Sequence, residues 1–174
     1  YFDIRKDTLY CDPKDSKKRK STLLLLNIIL DSLLKWFAPV LSFTTEEIYQ
    51  LISKKKKSIH LEQFLNYPKK FENLDLNNKW THLLKIREIC NLSIEEKRAN
   101  KEIGSSLEAA LVVRLNKREL ETVKGIDLAE LCITSSAEIH ENISNDINVK
   151  TIKAKGNKCP VCWKISQKNC ERHG

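Results

Sequence analysis

KKRKSTLLLLNIILDSLLKWFAP, Lys17 to Pro39, is the stretch that decides how the rest of the chain is read. Lys17, Lys18, Arg19 and Lys20 open it, and Pro39 closes it. Between them stand Leu23, Leu24, Leu25, Leu26, Ile28, Ile29, Leu30, Leu33, Leu34 and Trp36. The pattern predicts a helix from about Ser16 to Phe37, with Asp15 or Ser16 as its N-cap. So few positions around its wheel are polar that it is expected at the centre of a bundle. The apolar run Leu23–Leu34 is interrupted by Asn27, Asp31 and Ser32, and it is shorter than the roughly 20 residues a membrane span needs. No membrane partner is expected.

Working outward, YFDIRKDTLYCDP reads as a helix end with Pro13 as the stop. Residue 1 is Tyr and Met is absent, so the chain reads as a piece of a longer protein, cut upstream. No signal peptide is visible. Beyond Pro39, FTTEEIYQLI offers Thr44 as N-cap and Glu47 three residues on, which predicts a capping box and a helix to about Ile52. The run Lys54–Lys57 reads as a solvated connection, and Pro68 marks a turn. From about Asn77 a long helix is expected through Ile103, ended by Gly104. Trp80, Leu83, Leu84, Ile86, Cys90 and Ile94 supply its apolar side. Arg87, Asn91, Glu95 and Arg98 share a narrow arc. Arg87 and Arg98 are expected to pair with Glu95 or Glu88.

The composition then changes. LEAALVVRL, ELCITS, AEIH and INVKTIKAK have the length and β-branched content of strands, and LNKRELETVKG reads as a short helix closed by Gly125. The fold class expected is mainly α: a helical bundle over 1–108, a small α/β appendage over 109–155, and a cysteine-bearing tail over 156–174 introduced by Gly156.

The 174 residues carry a formal net charge of +8, with 41% hydrophobic and 31% charged residues. Such a chain can bury a core, and its basic excess suits a polyanion, although a lysine-rich proteome would produce the same excess. Of six cysteines, Cys11, Cys90 and Cys132 stand alone and read as small core hydrophobes. The rest lie in KCPVCWKISQKNCERHG, Lys158 to Gly174. Cys159-x2-Cys162 and Cys170-x2-His173 are two ligand pairs of the type that favours tetrahedral Zn²⁺. Four protein ligands make a closed, structural site. Coordination by the three cysteines alone, with His173 idle, is the alternative. A zinc enzyme would need an open metal position and a nearby general acid or base, and an HxE-type deaminase signature is absent. Trp163 either packs over the metal turn or offers a stacking face to an unpaired base.

These pieces have a family likeness. YFDIRKDTLYCD, the apolar helix ending in WFAPVLSFTTEEIY, SIHLEQF, the pattern W-x2-L-x3-R-x3-N-x3-E-x2-R from Trp80 to Arg98, and KEIGSSLEAAL resemble, in order, the anticodon-binding helical domain of bacterial isoleucyl-tRNA synthetases. KCPVCWK is similar to that family's terminal Cys-x2-Cys-Trp zinc module. His173 stands where the family usually carries a cysteine, and zinc accepts either ligand. The resemblance implies a cytoplasmic, monomeric protein that binds the anticodon arm of isoleucine tRNA. The catalytic and editing domains, and the use of ATP, would belong to the missing part in cis, because no HIGH-like signature is present and Lys54–Lys57 is not a KMSKS loop. The fragment alone is expected to catalyse nothing. Metal ligands expected are Cys159, Cys162, Cys170 and His173. RNA contacts expected are Lys158, Trp163, Lys164 and Arg172 on the tail, and Arg5, Lys6, Lys17, Lys18 and Arg19 near the first turn. A second reading is a zinc-stabilised helical module that makes interdomain or protein contacts without reading RNA.

Overall fold

The structure, a computed structural model, describes residues 1–53, 57–144 and 146–173. Lys54, Lys55 and Lys56 of the lysine run lie outside the described residues, and Lys57 is exposed. Six α-helices and five short strands are found among the described residues. They form two compact units, residues 8–72 and residues 1–7 with 73–174.

In the unit 8–72, α2 (Lys17–Phe37) follows a tight corner. The Ser16 hydroxyl accepts from the Arg19 N–H and donates to the carboxylate of buried Asp12 at 2.9 Å. The Arg19 guanidinium donates to the Asp12 carbonyl at 2.7 Å. Ser16 is therefore the cap that ties α2 to the end of α1 (Phe2–Cys11). Helix α3 (Ser42–Ile52) starts earlier than its sequence suggests. The turn after Phe37 runs straight into it through Val40 and Leu41 N–H groups on the Phe37 carbonyl, so Thr44 lies inside the helix and caps nothing. Leu34, Ala38, Tyr49 and Ile59 form a small core. The centre-of-bundle expectation for α2 is not met among the described residues: Leu23, Leu24, Leu33 and Trp36 are exposed, and its buried positions are Thr22, Ser32 and Leu34. Thr22 and Ser32 satisfy their hydroxyls on the carbonyls one turn back, Lys18 and Ile28.

The larger unit is built on α4 (Leu74–Ala99). Asn73 caps it by accepting from the Leu76 N–H at 2.9 Å, so the helix starts at Leu74, three residues ahead of the expected start. It ends at Ala99, before Gly104, because Lys101 takes a left-handed φ of 58° and the Glu102 N–H returns to the Lys97 carbonyl. The chain can then drop Ile103 into the core, while the Gly104 N–H goes to the Glu108 carboxylate. Strand β1 (Ala109–Leu115) is central in a sheet of order β2-β1-β3, with β2 (Ser136–Glu141) parallel and β3 (Asn148–Lys153) antiparallel. Alternation on β1 buries Ala109, Leu111, Val113 and Leu115 in one cluster with Leu83, Ile86, Cys90 and Ile94 of α4. Between β1 and β2 run α5 (Lys117–Val123) and α6 (Leu128–Cys132). The first half of ELCITS, read as a strand, is the end of α6: the Asp127 carboxylate caps the Glu130 N–H, and Ile133 closes the helix at φ 58°. A parallel β1–β2 pair requires such a crossover, and the helices supply it.

Cys90 and Cys132 are buried in this core, as small hydrophobes are, and Cys132 is held protonated by its contact with Cys90 and by burial. Arg98 pairs with Glu95 at 2.7 Å as expected. Arg87 does not pair with Glu88 or Glu95. Its Nε donates to the Leu131 carbonyl at 2.8 Å, and its other end lies 3.5 Å from Asp3.

Candidate functional site

The last segment of the larger unit folds as a small knuckle. β4 (Asn157–Lys158) pairs antiparallel with β5 (Ile165–Ser166), and the Cys-x2-Cys turn forms the loop between them. The Cys159 N–H donates to the Lys164 carbonyl at 2.9 Å, and the Trp163 N–H to the Cys159 carbonyl at 3.0 Å. Gly156 sets the entry. Its φ is 127°, and a Cβ there would stand 2.2 Å from the Ser166 carbonyl oxygen. A side chain would be excluded both by the backbone conformation and by the space.

The knuckle brings all four expected ligands together. The Sγ atoms of Cys159, Cys162 and Cys170 and the His173 ring lie within 4.8 Å of one another. His173 Nδ1 is 3.4 Å from the Cys159 sulfur and 3.3 Å from that of Cys170, and Cys162 and Cys170 sulfurs are 3.7 Å apart. A tetrahedron with Zn–S of about 2.3 Å and Zn–N of about 2.0 Å has edges of about 3.5–3.8 Å. The set therefore fits one metal ion, and His173 would take part through Nδ1. Electrostatics favour thiolate. Backbone N–H groups of the turn, Cys162 foremost, point at the Cys159 sulfur and lower its pKa to about 6. The Arg172 N–H also shifts Cys170 downward, whereas burial pushes Cys162 up. The three thiols are prepared unequally, and a bound cation would favour the anionic form of all three.

Trp163 is 59% exposed, so much of its surface faces solvent. Its backbone is left-handed, φ 63°, a conformation that costs a bulky residue about 1–2 kcal/mol. The Lys158 ammonium lies over the ring, 5.8 Å from its centre. Lys164 is half-buried at the base of the same turn. Arg172 reaches in another direction, to Asp7 of α1 at 2.7 Å. Arg5 is turned inward onto Glu130, 2.5 Å away, and Lys6 is exposed near Asp3. Lys17, Lys18 and Arg19 belong to the other unit. There Lys17 and Lys18 are exposed, and Arg19 is engaged at the Asp12 corner.

Two residues that matter to this site carry no sequence signal of their own. The Ser135 hydroxyl donates to the Leu107 carbonyl at 2.5 Å and accepts from the Ile165 N–H at 2.6 Å, tying β5 to the segment before β1. Asp7 was one acidic residue in a charged helix until the fold placed Arg172 against it.

Residues 1–113 match the family described as the anticodon-binding domain of tRNA ligases. The chain belongs to that family. Among curated relatives, an isoleucine–tRNA ligase of Pelagibacter ubique (strain HTCC1062) is 64% identical over 173 residues, covering 99% of this chain and 19% of its own length. The isoleucine–tRNA ligases of Bartonella henselae, at 39% identity, and Bradyrhizobium diazoefficiens, at 41%, each cover 96% of this chain and 18% of their own length. The chain thus spans about a fifth of the relatives it matches. The family match ends within β1, so the knuckle is aligned through the relatives and not through the anticodon-binding domain itself. No helix among the described residues is long and apolar enough to cross a membrane.

Proposed function

We propose that this chain is the anticodon-arm-binding part of an isoleucine–tRNA ligase and that its terminal site holds a structural Zn²⁺. The observation that carries the reading is Trp163. Its large ring stands largely in solvent on a strained backbone beside a metal-type turn, with Lys158 over it and Lys164 next in the chain. A stacking surface for an unpaired base needs an exposed ring, and cations next to it suit the neighbouring phosphates. The 64% identical isoleucine–tRNA ligase, which covers nearly the whole chain, supplies the substrate class. Zinc, when bound, cross-links the two ends of the knuckle. The chain's own residues present the ring and place Lys158 and Lys164 beside it.

In this reading Lys6, Lys17 and Lys18 are the better candidates for phosphate contact near the first turn. Arg5, Arg19 and Arg172 act first as structural cations. Aminoacylation with ATP belongs to the remaining four-fifths of the polypeptide. The site of action is the cytoplasm, and the chain acts as a monomer.

The test is a titration with isoleucine tRNA at several salt concentrations. The expected result is preference for that tRNA over others, with affinity falling steeply as salt rises. Trp163→Gly removes the ring and relieves the left-handed backbone, so it should weaken binding by about 1–3 kcal/mol while zinc content stays at one per chain. Unchanged affinity in the variant would remove Trp163 from the contact. The Ser135–Ile165 and Arg172–Asp7 bonds favour a second reading, in which the knuckle braces its own unit. Salt-insensitive binding, or none, would leave that reading standing alone.

A further inference from the structure

We propose that Arg172 is a positioning residue through which the metal centre fixes the first turns of α1, so that metal affinity and the docking of residues 2–7 are linked. Arg172 lies between two of the four ligands, Cys170 and His173. The His173 N–H closes a turn on the Cys170 carbonyl at 3.1 Å, and the ligand atoms of these two residues are 3.3 Å apart. A metal ion held by both would fix the backbone on either side of Arg172. From there Nη2 of Arg172 donates to Oδ2 of Asp7 at 2.7 Å, across 165 residues of sequence. Both side chains are only 28% exposed, so water screens the pair less than it would at an open surface.

The remaining anchors of this half of α1 are modest. Ile4 packs at the edge of the core, Arg5 meets Glu130, and Asp3 stands 3.5 Å from Arg87. The knuckle is held at its other end by the Ser135 hydroxyl on the Ile165 N–H. It therefore has a defined place against which Arg172 can be aimed. Residues 167–173 contain no helix or strand of their own. Without a cation to join the four ligands, holding Arg172 toward Asp7 would cost the conformational freedom of that loop, which a single partly buried ion pair does not offset. With the cation bound, that cost has already been met at the metal centre, and the guanidinium is preorganised. Linkage makes the effect reciprocal: whatever metal does for α1, Asp7 does for metal.

The experiment uses the 174-residue chain loaded with Zn²⁺, with amide hydrogen exchange read at residues 2–7 and, as reference, at the α4 core positions 83–94. Chelation should speed exchange at 2–7 about fivefold or more and leave 83–94 unchanged. Asp7→Asn, which touches no metal ligand, should reproduce that faster exchange with zinc still bound. It should also weaken zinc about fivefold in competition with a chromophoric chelator. Asp7→Arg combined with Arg172→Asp should bring zinc affinity back to within about twofold. Exchange at 2–7 that ignores chelation overturns the proposal, and so does an Asp7→Asn chain that binds zinc as tightly as the parent. Should chelation also open 83–94, the zinc affinity of Asp7→Asn, measured on the folded chain, decides alone.

Discussion

Helices α2 and α4 are the two longest in the molecule, and they use their apolar residues in opposite ways. The more apolar α2 buries Thr22, Ser32 and Leu34 and leaves Leu23, Leu24, Leu33 and Trp36 exposed. The more polar α4 buries Leu83, Ile86, Cys90 and Ile94, spaced three and four apart, under a sheet that brings four side chains of β1 to meet them. Apolar content tells how much a helix can bury, and a facing layer decides how much it does. Among the described residues of the unit 8–72, that layer is α3 and a 3-10 turn at Ile59.

The sharpest test of this contrast is a pair of truncations. Leu83→Ala should destabilise the larger unit by about 2–5 kcal/mol in denaturant unfolding, because it empties a fully buried site. Leu24→Ala should stay within about 0.5 kcal/mol. Equal costs would break the comparison. Next in size, Gly156→Ala places a methyl group where the Ser166 carbonyl stands and should cost at least about tenfold in zinc affinity, or about 1.4 kcal/mol. The same substitution should leave the unit 8–72 unaffected, which circular dichroism of its helices and metal titration would show together.

A smaller effect is expected at α5. There Asn116 and Glu119 form a reciprocal capping box, so Asn116→Ala should lower thermal stability by about 1 kcal/mol. The smallest concerns Glu46 in the unit 8–72. Its carboxylate accepts from the Ser58 hydroxyl at 2.8 Å, the Gln50 amide at 2.8 Å and the Ile59 N–H at 2.9 Å, and Ser58 foremost holds its pKa below the ordinary carboxylate range. A depressed folded pKa stabilises above the unfolded value of roughly 4.3, and that contribution is lost as pH falls through the folded value. Exchange of the Ile59 amide should therefore be slower in the parent than in Glu46→Gln at pH 7. The two should converge once the pH has fallen below that folded value.

Much of the local structure was legible because it rests on short-range chemistry. Pro13 stops α1, Ser16 caps α2, Pro39 follows its end, and Gly125, at φ 76°, closes α5. The two ligand pairs were legible for the same reason, since a Cys-x2-Cys turn is set by its own backbone. The errors share one cause. Thr44 and Glu47 spelled a capping box, but the turn after Phe37 had already started the helix. Gly104 suited a helix end, but burial of Ile103 required the chain to leave four residues sooner. ELCITS has strand composition, yet its Leu131 and Cys132 reach the core from a helix that Asp127 caps.

By itself the sequence determined the helical character of the first half, the change to mixed structure after Gly104, and a ligand set suited to one tetrahedral ion. Each of these follows from residues within a few positions of one another. Only the tertiary structure decided which apolar face is buried, that Arg87 goes to Leu131 and Asp3, that Trp163 stands in solvent, and that Arg172 reaches Asp7. Those outcomes depend on which groups from distant parts of the chain come within a few ångströms, and no local preference encodes that separation.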